Sequence, residues 1–153
     1  MLNVPPDRRG VFCEEDVVCL NEVGRRIKAT YGVNLAEGAE ASVPNLLDDD
    51  IKTFWQMDKL QGEIVITLPE SREINRFVIQ EAISEVGQRV KTHALDAWLD
   101  GAWKEACRST TIGYKRILRF DDVKTDRFRL RILDGRANPA IAGISVHRYG
   151  KPE

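Results

Sequence analysis

Two pairs of neighbouring carboxylates are the residues of this chain whose types could perform acid–base chemistry. Asp48 and Asp50 stand two positions apart, and Glu14 and Glu15 are adjacent at the start of a predicted helix. Hydrolysis of a glycoside requires two positioned carboxylates, or one carboxylate and a partner, flanking the bond that breaks. Neither pair is placed beside a cleft by its pattern, and no Ser/His or Cys/His motif accompanies them. The pattern alone therefore identifies neither pair as catalytic.

The same acidic cluster could instead hold a metal ion. Asp48, Asp50 and Thr53 offer the hard oxygen ligands that Ca²⁺ prefers, and they lie on a predicted turn. The alternative is a solvated turn, because aspartate is a natural turn residue. No Cys-x-x-Cys or Cys/His spacing predicts zinc. Calcium is therefore the candidate cofactor, and the turn is the predicted site.

A third set of residues has the chemistry that binds sugars. Sugar binding uses an aromatic face against the apolar face of the ring and planar hydrogen-bonding groups on the hydroxyls. Tyr114 could stack, Glu81 could accept from hydroxyls, and Arg89 could donate to them. The alternative is that these side chains tie loops together or contact a neighbouring domain. The candidates, all on or beside predicted connecting segments, are Gln80, Glu81, Gln88, Arg89, Tyr114 and Arg116.

The element that precedes these candidates is an amphipathic helix, predicted from about Glu14 to Tyr31. Acidic residues occupy its first turn and basic residues its last, and both placements complement the helix dipole. Apolar residues, among them Val17, Leu20 and Ile27, recur at three- and four-residue spacing along one face. This spacing favours a helix that lies on another surface.

From Leu35 onward the hydrophobic period changes to two, which is typical of strands. Predicted strands cover residues 63–68, 74–81, 93–99, 103–107, 114–120, 128–132 and 141–148. Between two of them, Asp100 and Gly101 predict a two-residue hairpin turn. His93 falls on the inward face and is predicted to be a core histidine. At least seven short strands without intervening helices indicate an all-β fold, a β-sandwich or a jelly roll, preceded by one N-terminal helix.

Composition narrows the classes of partner. Lys and Arg number 23 against 24 Asp and Glu, and the net charge of −1 argues against a nucleic-acid partner, which would need a basic excess. No apolar run approaches the ~20 residues that span a bilayer, so no membrane partner is predicted either. Three cysteines cannot all pair internally, and unpaired thiols are expected.

Five motifs resemble a known arrangement of domains. Residues 3–10 (NVPPDRRG) resemble the exit from the catalytic barrel of family 29 glycoside hydrolases, the α-L-fucosidases. Residues 47–55 (LDDDIKTFW) and 95–103 (LDAWLDGAW) are similar to two elements of discoidin, or F5/8 type C, domains, a group that includes family 32 carbohydrate-binding modules. Residues 87–90 (GQRV) and 110–117 (TTIGYKRI) resemble the version of this module that is appended to fucosidases.

The resemblance implies a galactose-binding-like jelly roll and a division of the chain into three segments. Residues 1–12 would be the remnant of a catalytic-domain exit, 13–33 a linker helix, and 34–150 the discoidin-like sandwich. The implied function is that of a non-catalytic accessory module of an α-L-fucosidase-like hydrolase that binds fucosylated or galactosylated glycan. The alternative is a structural module that packs on the parent's catalytic domain without binding sugar. The compartment stays open, and is extracellular or periplasmic if the parent enzyme is secreted.

Some positions depart from the family pattern. Asp49 stands where the family usually has glycine, and Gly143 stands where many relatives supply a late glutamate to the calcium site. Galactose-binding relatives carry an arginine at the position of Glu81 and an asparagine at that of Val86. The departures weaken a calcium site and leave no galactose-specific set of residues in the chain.

Overall fold

The computed structural model describes residues 3–150, which divide into two units between Val33 and Asn34. Met1 and Leu2, the first residues of the predicted barrel-exit segment, lie outside the described residues, as do residues 151–153. The predicted roles of segments 1–12, 13–33 and 34–150 stay predictions.

The first unit is a turn followed by one helix. Asp7 organises the turn, since its carboxylate accepts the Arg9 backbone N–H at 2.7 Å and its own N–H donates to the Val11 carbonyl at 2.7 Å. Helix α1 then spans Glu14–Tyr31, as the charge and apolar patterns predicted. At its end, a Cβ on Gly32 would lie 2.5 Å from the Lys28 carbonyl oxygen, so only glycine fits there. Among the described residues, no helix has the length and apolar character that crossing a membrane requires.

The second unit is a single antiparallel sheet with one short helix, α2 (Ile83–Val86). The strand order is β2-β7-β3-β6-β4-β5, and β1 pairs with β3. Its strands are β1 (Glu40–Ala41), β2 (Trp55–Gln56), β3 (Gly62–Glu81), β4 (Val90–Leu99), β5 (Ala102–Ser109), β6 (Arg116–Gly135) and β7 (Ala140–His147). This architecture confirms the predicted all-β class and is consistent with the jelly roll.

Two strands are much longer than predicted. The predicted strands 63–68 and 74–81 both lie in one strand of 20 residues, β3. Most of the predicted strand 114–120, from Arg116 onward, and all of 128–132 lie in β6, also of 20 residues. Pro69, which was expected to end the first strand, lies where the pairing of β3 with β6 is interrupted between Thr67 and Arg72. Pairing resumes beyond the interruption because both strands continue across it. Tyr114 falls just before β6 and therefore belongs to a loop.

The predicted hairpin joins β4 to β5. Asp100 and Gly101 have φ values of 53° and 77°, and positive φ at both central residues is the signature of the type I′ turn. Trp98 and Trp103 flank this turn as a directly paired couple, with ring centroids 5.1 Å apart. Neither ring belongs to the buried core, and a guanidinium covers each of them, Arg127 over Trp98 and Arg129 over Trp103.

The core is a continuous apolar cluster enclosed by the sheet. It includes side chains from both halves of β3 and of β6, so each long strand contributes to the interior along its whole length. Its largest fully buried members include Phe77, Phe128, Ile64, Ile66, Leu95 and Leu130. This interior fixes the ends of the strands, and the ends of the strands fix the loops in which the candidate site lies.

Candidate functional site

Glu81, the last residue of β3, is buried, and its carboxylate is fully engaged by backbone groups. Oε1 accepts from the Arg89 and Val90 N–H groups at 2.8 Å each, and Oε2 accepts from the Gly113 N–H at 2.8 Å. Its own N–H donates to the Gly113 carbonyl at 3.0 Å. The geometry does not favour the predicted role of accepting from sugar hydroxyls, because 3% of the residue is exposed and its oxygens face backbone groups of the chain.

Arg89 ties two further segments to the one that it occupies. Its guanidinium donates to the Val86 carbonyl at 3.1 Å and to the Asn138 carbonyl at 2.9 Å. The Arg136 N–H in turn donates to the Arg89 carbonyl at 2.7 Å. Loops 87–89, 110–115 and 136–139 thus meet around Glu81 and Arg89. We call these three loops the rim.

Tyr114 and Gln88 are the predicted site residues that the rim presents outward. Tyr114 is 58% exposed and directly follows Gly113, which the Glu81 carboxylate holds. Gln88 is exposed and directly precedes Arg89, whose N–H the same carboxylate holds. The structure therefore brings Glu81, Arg89 and Tyr114 together. The exposed residues Tyr114 and Gln88 are each next in the chain to a residue whose N–H the Glu81 carboxylate holds.

Two buried or half-buried side chains hold the beginning of the Tyr114 loop, at residues 109 and 110. The Nδ1–H of His93 donates to the Thr110 carbonyl at 2.6 Å, and His93 is fully buried, which confirms its predicted place in the core. Burial lowers the pKa of His93, the Thr110 hydrogen bond opposes this shift, and the Arg116 charge adds to it. Arg116, predicted to contact sugar, is half-buried and donates to the Ser109 hydroxyl.

Gln80 lies apart from the rim. Successive strand residues point to opposite sides, so the neighbour of the inward Glu81 faces a different cavity. That cavity has a volume of about 30 Å³, and Asp49, Gly143 and Ser145 are among the residues that line it beside Gln80. The prediction that Gln80 joins the other sugar-binding candidates is therefore not met by the geometry.

The predicted calcium turn is closed by hydrogen bonds between its own residues. Asp48 accepts the Thr53 hydroxyl at 2.6 Å and the Asp50 N–H at 3.2 Å, while Asp50 accepts the Lys52 N–H at 2.9 Å. The Thr53 hydroxyl also lies 2.9 Å from the Asp50 carbonyl oxygen. Asp49 takes the positive φ, 57°, that a glycine would adopt without strain.

Those oxygens do not amount to a calcium shell. Ca²⁺ takes 6–8 oxygen ligands, and in residues 3–150 no three acidic, histidine or cysteine side chains converge on one point. Gly143 supplies no side chain, and a Cβ there would meet the Gln80 side-chain oxygen at 3.4 Å. The side chains present do not fit a calcium ion. Hydrogen bonds hold the turn in the form seen.

Sequence reasoning missed the loop of residues 136–139. Asn138 and Pro139 carry the turn composition that could have marked it, but the loop joins the site through carbonyls and an N–H, which every residue possesses. It also missed that Gly113, with φ of 70°, offers its N–H to Glu81. Backbone donors leave no signature in the types of the residues that supply them.

Comparison with known proteins identifies the kind of domain. The family model for the F5/8 type C domain matches residues 28–145. A putative α-L-fucosidase 1 from Oryza sativa subsp. japonica is 29% identical, with 95% of this chain and 31% of that protein covered. The chain thus spans about a third of the length of this curated relative.

Solved structures agree with that assignment. A GH29 fucosidase from Ruminococcus gnavus, crystallised in complex with fucose, superposes with a TM-score of 0.84 at 29% identity, covering 99% of this chain and 34% of that one. CpGH89CBM32-5 from Clostridium perfringens, in complex with GalNAc-β-1,3-galactose, shares the fold, with a TM-score of 0.64 at 21% identity over 76% of this chain and 100% of that one. The chain belongs to the F5/8 type C domain family, in the form that accompanies GH29 fucosidases.

Proposed function

We propose that this chain is a non-catalytic accessory module of a larger α-L-fucosidase-like glycoside hydrolase, and that it binds carbohydrate at the rim. The observation that carries the proposal is the exposed Tyr114 ring, presented by a loop that Glu81 and His93 fix from two sides. A loop whose backbone is already held in place loses little freedom when a ligand stacks on its ring. This is the arrangement that favours a weak, shallow sugar site.

The rim also offers the polar groups that a sugar needs beside an aromatic face. The Gln88 side chain is exposed and carries both an acceptor oxygen and two donor hydrogens, which suits vicinal hydroxyls. Arg116 contributes a donor fork two residues after Tyr114 in the chain, in addition to its Ser109 contact. In this proposal Tyr114 stacks, Gln88 and Arg116 contact hydroxyls, and Glu81 and Arg89 position them.

We take fucosylated or galactosylated glycans as the ligand class. The curated relatives and the GH29 structures are α-L-fucosidases, and the Clostridium perfringens chain of the same fold was solved with a galactose-containing disaccharide. The partner in this proposal is the catalytic domain of the parent hydrolase. A weak module tethered to that domain raises the local concentration of glycan near the active site, and the gain depends on the effective concentration that the tether sets relative to the module's own Kd.

Glycan-array binding followed by titration calorimetry with the isolated chain tests the proposal. Tyr114→Ala should weaken binding of the best fucosylated or galactosylated glycan roughly three- to tenfold, as expected for the loss of one aromatic contact. Tyr114→Phe keeps the ring and serves as the matched control, which should bind like the unaltered chain. Equal binding by both variants would contradict the assignment of Tyr114.

The second candidate function is a structural module that packs on the catalytic domain without binding sugar. It is favoured because the polar atoms of Glu81 and Arg89 form hydrogen bonds with this chain's own backbone. If the unaltered chain binds no glycan on the array, while it binds the separately produced catalytic domain of a GH29 relative, this second function replaces the first.

A further inference from the structure

The buried carboxylate of Glu81 stands at the point where two loops without strand pairing to each other approach. Removing a carboxylate from water is costly unless hydrogen-bond donors replace the water, and here three backbone N–H groups do so at 2.8 Å. Hydrogen bonds from N–H groups to an ionised acceptor are stronger than those between neutral groups. Glu81 is therefore a strong link between residues 89–90 and residue 113.

The link extends beyond these two loops. The chain that Glu81 fixes at the Arg89 N–H also contains the Arg89 guanidinium, which holds the Asn138 carbonyl at 2.9 Å. The Arg136 N–H closes the connection by donating to the Arg89 carbonyl. The Glu81 carboxylate, at the end of β3, thus holds loop 87–89, and Arg89 in turn holds loop 136–139.

The two exposed groups of the rim are each one residue from an anchored N–H. Gln88 precedes Arg89, and Tyr114 follows Gly113. Because Glu81 holds the N–H groups of Arg89 and Gly113, it sets the distance between the Tyr114 ring and the Gln88 amide. Apolar contacts alone would not set this distance, because next to these residues Ile112 is buried but Lys115 is exposed. Loss of the carboxylate would leave the loops attached to the sheet and free to change their spacing.

We propose that Glu81 is a positioning residue that sets the spacing of Tyr114 and Gln88 and thereby determines which glycans the rim accepts. The inference rests on the proposed carbohydrate-binding function. It assigns to Glu81 an action through its neighbours, without direct contact to the ligand. It also assigns to Arg89 the secondary role of carrying the 136–139 loop.

Glu81→Gln is the sharpest test, because the amide has the shape of the carboxylate but carries one acceptor oxygen and an NH₂ donor. The NH₂ group would face either the Gly113 N–H, at the loss of one hydrogen bond, or the pair of N–H groups at residues 89 and 90, at the loss of two. Glu85→Gln is the matched control, since Glu85 is an exposed acid on α2 in the same segment. Backbone hydrogen exchange and titration with the best array glycan are measured on all three proteins.

Glu81→Gln should speed exchange at Gly113 or at Arg89 and Val90 by about tenfold or more, since local opening governs exchange in such segments. It should weaken binding of the best glycan about tenfold and alter the ranking of glycans on the array. Exchange in the core strands should stay as in the unaltered chain, and Glu85→Gln should change none of these. Weaker binding with unaltered loop exchange would make Glu81 a direct ligand contact and overturn the proposal.

Two controls keep the outcome interpretable. If Glu81→Gln fails to fold, exchange in the unaltered chain decides: the amides of Arg89, Val90 and Gly113 must be protected although they border loops, and rapid exchange there refutes the anchor. If the unaltered chain binds no glycan, the proposed function fails. The exchange measurement then still tests whether Glu81 fixes the loops, so the two failures are distinguishable.

Discussion

Three buried acidic or basic side chains in the sheet differ in how their polar atoms are satisfied. Glu81 receives three backbone N–H groups, whereas Asp96 receives the guanidinium groups of Arg129 and Arg131 at 2.6–2.9 Å. Burial acts to raise the pKa of Asp96, but the hydrogen bonds from Arg131 and Arg129 outweigh it and hold the pKa below its usual value. His93 has one partner, and its Nε2 has none among the described residues.

Whether a sequence predicts the contacts of a buried polar side chain depends on which part of the chain supplies its hydrogen-bond partners. The alternation of strand residues placed His93 inward, and this placement holds. It could not show that Glu81 turns inward to receive loop N–H groups, because those donors come from segments 8 to 32 positions away and belong to no residue type.

His93 should make the chain less stable as the pH falls through the range just below neutrality. Burial lowers its pKa from the ordinary 6.5, so in that range the unfolded chain binds a proton that the folded chain does not. Its contribution is fully present above pH 6.5 and is lost toward the lower, folded pKa. The free energy of unfolding should fall by up to about 1.4 kcal/mol per pH unit in that window.

Denaturant unfolding at pH 7.5, 6.5 and 5.5 measures this dependence. His93→Gln should lower stability at every pH, because the core is disturbed, but should flatten the slope between pH 7.5 and 5.5. A slope that is as steep in His93→Gln as in the unaltered chain would assign the dependence to other groups.

At the scale of elements, local sequence patterns predicted the features that depend on interactions between residues close together in the chain. The helix bounds, the type I′ hairpin and the strand faces follow from charge placement, turn chemistry and alternation within a few residues. The continuous lengths of β3 and β6 could not be predicted, since a proline and charged residues interrupt the apolar pattern while distant pairing carries the strands across. The rim could not be predicted as a unit either, because three loops meet only after the sheet has formed.

The turn of residues 48–53 should depend on the Thr53 hydroxyl and not on calcium. Thr53→Val removes the donor that joins Asp48 to the Asp50 carbonyl and should lower the free energy of unfolding by about 0.5 to 1 kcal/mol, the range for an exposed hydrogen bond. Thr53→Ser retains the hydroxyl and is the matched control. Melting curves in millimolar calcium and after chelation should coincide.

A melting temperature that climbs with calcium would identify an ion bound to the folded state alone, and would restore the site that the family pattern implies. The same rise in Thr53→Val would place that ion elsewhere in the molecule.

At the scale of the whole molecule, the chain corresponds to about a third of its curated relatives, and that share contains the F5/8 type C domain. The fold alone does not determine function, since one scaffold carries many kinds of site. In this chain one glutamate, one arginine and one histidine hold the three loops of the rim, and the Tyr114 ring stays exposed.

The isolated 153-residue chain should release no fucose from an aryl α-L-fucoside. Hydrolysis with retention needs two carboxyl groups about 5 to 5.5 Å apart on either side of the bond. Glu81 is buried under backbone N–H groups, Asp96 lies between two arginines, and Asp48 closes a turn with Thr53, so none of these three is free to face a substrate. Release of nitrophenol from the aryl fucoside, followed over hours at high protein concentration, measures this, with a full-length GH29 fucosidase as the positive control. Release that scales with the amount of chain and persists after repeated purification would show that this domain carries catalytic groups of its own.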